Sequence, residues 1–177
     1  MPRPQEDRGI IEKLRSFTMP KPDEWTMKHH KIEKPKDDDE YLERMSRVIL
    51  ASGLNWRVLE NKWPGIRKAF AGFNVNKISQ FQEPEIEELM MNPDVIRNLA
   101  KIRAIVANAK TIKELSNQHG SFATYLDSLN KAGGEDKMRD ELSKQFAFLG
   151  KGTTVIFLFA TGMDMPKATK EWQARHK

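Results

Sequence analysis

Apolar residues recur at intervals of three and four along most of this chain, and strict alternation persists nowhere. That pattern predicts helices and no sheet, so the expected fold class is all-α. The clearest stripe is Val95, Leu99, Ile102, Ile105, Val106 and Ala109, in a helix expected over 94–112. The opposite face of that helix carries Arg97, Lys101, Arg103 and Lys110. A second run, Tyr41, Leu42, Met45, Val48, Ile49 and Leu50, follows Asp37, Asp38, Asp39 and Glu40. Carboxylates there suit a capped helix start, and the same cluster is also a candidate cation site. This helix is expected to stop at Ser52-Gly53, with Leu54-Asn55-Trp56 opening the next. Shorter helical patterns cover 57–62, 65–70, 75–81, 84–91, 121–131 and 134–146.

One stretch departs from plain amphipathic patterning. A helix expected over 135–148 runs into Leu149-Gly150-Lys151-Gly152, and an apolar helix follows over 153–160. Glycine tolerates positive φ, so Gly150 and Gly152 suit a tight reversal with backbone N–H groups left open. Thr153 and its neighbour cap well, and the positive end of the helix dipole lies beside them. The arrangement is either an ordinary helix–helix turn or a site for an anion such as phosphate.

Composition adds bounds. The chain has 177 residues, enough for one domain with a core, and 38% apolar against 31% charged residues marks it as globular. Its net charge of +5 is compatible with a polyanionic partner. The absence of cysteine removes disulfides, thiol nucleophiles and cysteine-based metal sites. The start MPRPQEDRG has no apolar core of the secretory kind, and the longest apolar run, 155–160, is too short to span a bilayer. A cytoplasmic protein that does not engage a membrane is expected. Residues 1–36 read as a charged, proline-rich arm with a short helix over 5–17, and 37–177 as the helical domain. The adjacent pair His29-His30 cannot share a helix face and reads as a solvated loop.

Three blocks then point one way. They are Ser52-Gly53-Leu54-Asn55-Trp56 with Trp63-Pro64 after it; Val95-Ile96-Arg97-Asn98-Leu99-Ala100-Lys101-Ile102 continuing to Asn108-Ala109-Lys110; and Gly120-Ser121-Phe122, followed by Phe146, Phe148, Gly150 and Gly162. In order and spacing they resemble the DNA-3-methyladenine glycosylase I family, over about residues 37–163. The resemblance implies the helix-hairpin-helix glycosylase fold, no cofactor, a monomer, and double-stranded DNA carrying alkylated bases as partner. It also implies roles. Trp56 would stack on a base turned out of the duplex, lining a pocket with Asn55 and Val48. Leu54 would wedge into the gap, and Gly53 would let the backbone approach DNA. Gly150, Lys151, Gly152 and Thr153 would hold phosphates. A flipped base needs a flat apolar platform, which suits an indole, although Trp56 also reads as a core tryptophan.

The chain departs from the family in several places. Lys151 stands where the hairpin usually has an apolar residue. The family's N-terminal tyrosine-histidine-aspartate and Glu-Trp-Gly blocks are missing, this chain offering Trp25, His29 and His30 in no matching order. Val48 stands where the family carries a glutamate in the base pocket, and Lys167 and Glu171 stand near a zinc-ligand pair, so no metal is expected. Glycosylases sharing this hairpin often keep an aspartate some twenty residues past it. Glu171 and Asp164 are the candidates for that catalytic role, and both also read as exposed tail charges. Glu43 is a third carboxylate near the pocket, and also reads as a solvated helix face. A base methylated at N3 is already cationic and departs as a neutral group, so hydrolysis without the missing glutamate is chemically feasible. The expected activity is hydrolysis of the N-glycosidic bond of alkylated purines such as 3-methyladenine. The alternative is a DNA-binding module that has lost catalysis.

Overall fold

Three successive carboxylates organise the start of the fold. The computed structural model describes residues 33–162; the helix expected over 5–17, together with Trp25, His29, His30, Asp164, Lys167 and Glu171, lies outside the described residues. The chain divides into two units, Met1–Ile32 and Glu33–Lys177, and every described residue belongs to the second. Helix α1, Asp38–Ala51, begins where the Asp37 side chain accepts from the Glu40 N–H. Asp38 accepts instead from the Phe122 N–H at 3.0 Å, and Asp39 from the Val75 N–H at 2.8 Å. The acidic run is therefore helix capping, and it caps three helices rather than one, tying together segments far apart in sequence.

Helix α2, Trp56–Ala69, starts at Asn55, whose side chain accepts from the Arg57 N–H. It runs unbroken through Pro64, where the sequence pattern had predicted two helices. Trp63 and Ile66, on either side of the proline, are buried, so packing carries the helix across the missing donor. A 3₁₀ turn, Ala71–Phe73, stacks Phe73 against Trp63 and Phe70 at 5.4 Å. Two short helices follow, α3 (Val75–Ile78) and α4 (Glu83–Met91).

Helix α5, Leu99–His119, is the central element, packing against α1, α3, α4 and the next helix. It begins later than the periodicity suggested because Asn98 caps it, its side chain accepting from the Lys101 N–H at 3.1 Å. Two faces are reassigned as a result. Leu99 is partly exposed, and Lys101, expected in solvent, is buried. Helix α6, Phe122–Gln145, breaks internally at Gly133 and Gly134, the latter at φ 63, which is where the sequence separated two helices. Helix α7, Lys151–Ala160, closes the described region, and Arg44 of α1 donates to the Ala160 carbonyl at its end. The fold is all-α, with α6, the hairpin and α7 forming the helix-hairpin-helix element. No described helix is long and apolar enough to cross a membrane.

Candidate nucleic-acid interface

The two turns singled out in the sequence are each built by a side chain from α5. At the first, α1 ends in Ser52 and Gly53, and Gly53 takes φ 74, a left-handed conformation that a side chain would strain. The Lys101 ammonium reaches the end of α1 and donates to the carbonyls of Leu50 and Ser52. These are orphan acceptors at the negative end of a helix, so a cation there is doubly favoured. Burial lowers the Lys101 pKa, the cost of taking that cation out of water. Lys101 thereby fixes the turn that presents Leu54, Asn55 and Trp56.

At the second turn the buried side chain of Asn108 clamps Ala147 from both sides. Its amide nitrogen donates to the Ala147 carbonyl at 3.0 Å, and its oxygen accepts from the Ala147 N–H at 2.8 Å. Phe148 follows at φ 59, and Leu149 turns back into the core. The left-handed residue of this reversal is thus Phe148, whereas Gly150 sits at φ −65 as the N-cap of α7 and Gly152 lies inside its first turn. The helix starts at Lys151 rather than at the threonines. Thr153 lies within it, and Thr154 bonds back to the carbonyls of Leu149 and Gly150.

The glycines answer to another constraint. A Cβ at Gly150 or Gly152 would meet nothing within 4 Å, so the fold itself does not exclude one. Side chains of Asp37, Asn55, Asn74, Asn98 and Ser121 cap α1, α2, α3, α5 and α6, but Gly150 supplies no side-chain acceptor to α7. Among the described residues the first N–H groups of α7 therefore have no intrahelical or side-chain capping acceptor, and Lys151, largely exposed and 3.8 Å from Asp140, stands among them.

Lys101 and Asn108 lie seven positions apart on α5. Seven residues are nearly two helical turns, which puts both on one face, separated by about 10 Å. One helix therefore holds both turns, although about a hundred residues of chain lie between them.

Around Trp56 the geometry is more closed than the sequence suggested. The indole is half-buried and packs against the core. The Arg47 guanidinium lies over its ring at 5.5 Å and over Trp63 at 4.9 Å, and pairs with Glu60. Burial lowers the Arg47 pKa, with Glu43 acting against the shift. One π-face of Trp56 is therefore already occupied by a cation of the protein itself. Val48, next to Arg47 in sequence, is buried. Glu43 accepts from the Trp63 indole N–H and pairs with Arg67, both at 3.1 Å, which makes it a structural carboxylate. Two open concavities, of about 410 and 360 Å³, lie beside Trp63, Pro64 and Arg67 and beside Met90, Met91 and Leu99; neither is the cleft expected at Leu54 and Trp56. The candidates Glu171 and Asp164 lie outside the described residues.

Sequence reasoning missed Arg47, Lys101 and Asn108 as builders of the site. Arg47 gave no signal, because an arginine on an exposed-looking helix position is ordinary. Lys101 and Asn108 stood in quoted blocks, and their seven-residue spacing was the available clue.

Comparison with known proteins places this geometry. A family model for methyladenine glycosylases matches residues 21–171. The DNA-3-methyladenine glycosylase of Haemophilus influenzae is 27% identical over 149 residues, covering 73% of this chain and 80% of that protein. DNA-3-methyladenine glycosylase 1 of Escherichia coli is 26% identical over 124 residues, covering 61% of this chain and 66% of that protein. Among solved structures, a crystal structure of 3-methyladenine DNA glycosylase I superposes with a TM-score of 0.67 at 24% identity, over 76% of this chain and 84% of that one. The Staphylococcus aureus enzyme, solved to explain 3-methyladenine recognition, superposes with a TM-score of 0.64 at 25% identity, over 75% of this chain and 84% of that one.

Proposed function

The chain belongs to the methyladenine glycosylase family, and from that premise we propose that it is a monofunctional DNA glycosylase that removes alkylated purines such as 3-methyladenine from double-stranded DNA. In this reading α7's uncapped N–H groups and Lys151 hold a phosphate while Leu54 fills the gap left by a flipped nucleotide. The base stacks on the Trp56 face away from Arg47, and Asn55 and Val48 border it. The observation that carries the reading is the pairing on α5. Lys101 and Asn108, about 10 Å apart along α5, each bond to one of the two turns, so both turns are tied to one helix. A phosphate grip and a wedge carried by one helix serve the same stretch of duplex.

The chemistry asks little of the protein. A purine methylated at N3 carries positive charge and departs neutral, so distortion of the nucleotide and water exclusion supply most of what the step needs. Water then adds to the sugar and leaves an abasic site. Val48 favours the competing reading, a module that binds DNA without excising a base, since no carboxylate stands at that position and Glu43 is committed to Arg67 and Trp63.

The test is release of free 3-methyladenine from methylated duplex DNA. Release by the wild type and its loss in Trp56→Ala supports the enzyme. Tight binding to an abasic-site duplex without release supports the module, and no affinity for DNA at low salt removes both.

A further inference from the structure

Phe148 is the side chain that the fold itself does not account for. It sits at φ 59, a region that bulky L-residues rarely enter, and its ring remains 48% exposed. Its surroundings are fixed without it. Ala147 is clamped by Asn108, while Phe146 and Leu149 on either side are buried. Among the described residues Phe148 is not part of the core or of the side chains packed against it, and a half-exposed phenyl on left-handed backbone suits an outside partner.

Its position identifies the partner. Phe148 lies two residues before Gly150, the N-cap of α7. Lys144 and Lys151, with side chains 71% and 76% exposed, flank it in sequence, in loose surface pairs with Glu141 at 3.9 Å and Asp140 at 3.8 Å that a phosphate can displace. An exposed apolar ring set among lysines and open helix N–H groups suits a polyanion whose backbone also offers apolar surface. Nucleic acid does so through its deoxyribose rings and base faces.

Resting on the reading of that turn as a phosphate grip, the geometry points to Phe148 as a second apolar contact to DNA, pressing on the deoxyribose beside the held phosphate. It works together with the Leu54 wedge but from the other turn. The left-handed backbone, imposed by the Asn108 clamp, turns the ring outward instead of letting it fold into the core beside Leu149.

The experiment measures affinity of the full-length chain for a fluorescent duplex carrying a tetrahydrofuran abasic analogue, by anisotropy over a range of KCl concentrations. Phe148→Gly removes both the ring and the strain. It is expected to unfold at or above the wild-type temperature yet bind about tenfold more weakly, the equivalent of losing a half-buried aromatic contact, with the salt dependence unchanged. Phe148→Leu should recover part of that loss. Lys151→Ala should instead lower the salt slope by about one, as loss of a phosphate contact does. Wild-type affinity in Phe148→Gly would overturn the inference. So would concentration-dependent self-association of the wild type that Phe148→Gly abolishes, since the ring would then serve a second copy of the chain. If Gly152→Ala and Lys151→Ala also bind like the wild type, the phosphate grip itself has failed, and the contact fails with it.

Discussion

Removing the Asn108 carboxamide tests the claim that α5 sets the second turn. Asn108 is 1% exposed and makes two good hydrogen bonds, both to Ala147. Asn108→Ala deletes both and leaves a small void. Each bond contributes about 1 kcal/mol net, and Ala147, being exposed, regains water on its freed groups. The sum is a loss of about 2–3 kcal/mol, or about 4–12 °C in unfolding temperature for a chain of this size. Urea and thermal unfolding followed by far-UV circular dichroism measure it. Affinity for an abasic duplex should fall further than global destabilisation explains, because Phe148 to Gly150 lose their anchor while the protein remains folded at 20 °C.

Asn108→Asp sharpens the test. A carboxyl accepts from the Ala147 N–H in either state but donates to the Ala147 carbonyl only when protonated. Its folded pKa should therefore stand above the ordinary value of about 4. The stability it contributes is then complete below pH 4 and is lost as pH rises through the raised value. The reasoning is refuted if Asn108→Ala costs less than about 0.5 kcal/mol, or if it is strongly destabilised yet binds DNA as the wild type does.

Lys101→Met keeps the stem and removes a buried charge whose desolvation offsets its carbonyl bonds. Stability should change by less than about 1 kcal/mol, while amides of residues 52–56 exchange faster and DNA affinity drops; unchanged exchange would deny Lys101 its positioning role. Tyr41 is buried and its hydroxyl is pushed up to about 12, first by desolvation and then by Asp127. The unfolded phenol titrates near 10, so stability holds below pH 10 and about 2–3 kcal/mol is lost as pH rises to 12; Tyr41→Phe should flatten that limb of the pH profile. Gly65→Ala places a Cβ 2.6 Å from the Asp94 Cβ and should cost about 1–3 kcal/mol by overpacking, read as a lower urea midpoint with an unchanged slope.

Local signals were legible where neighbouring residues supply the physics. Helical periodicity, the caps at Asp37 and Ser121 and the break at Gly134 all follow from interactions within one or two turns, so the all-α fold could be read from the sequence. The blocks around Gly53 and Gly150 likewise marked the two turns. Errors arose where distant packing overrode local preference. Periodicity assigned Lys101 to solvent, but the orphan carbonyls at the end of α1 draw its ammonium inward. Pro64 predicted a helix break, and burial of Trp63 and Ile66 carries the helix through it. Gly150 and Gly152 were assigned the left-handed reversal, but the clamp on Ala147 moves that conformation to Phe148.

By itself, then, the order of residues determined which segments become helices and marked the two turns around Gly53 and Gly150. Only the tertiary structure decided that both turns are held from one face of α5, that a guanidinium covers one side of Trp56, and that the acidic run caps three helices. The reason is range. Caps and periodicity act over a few residues, whereas a buried amide or ammonium is satisfied by whichever backbone groups the folded chain brings within about 3 Å, and no local pattern names those partners.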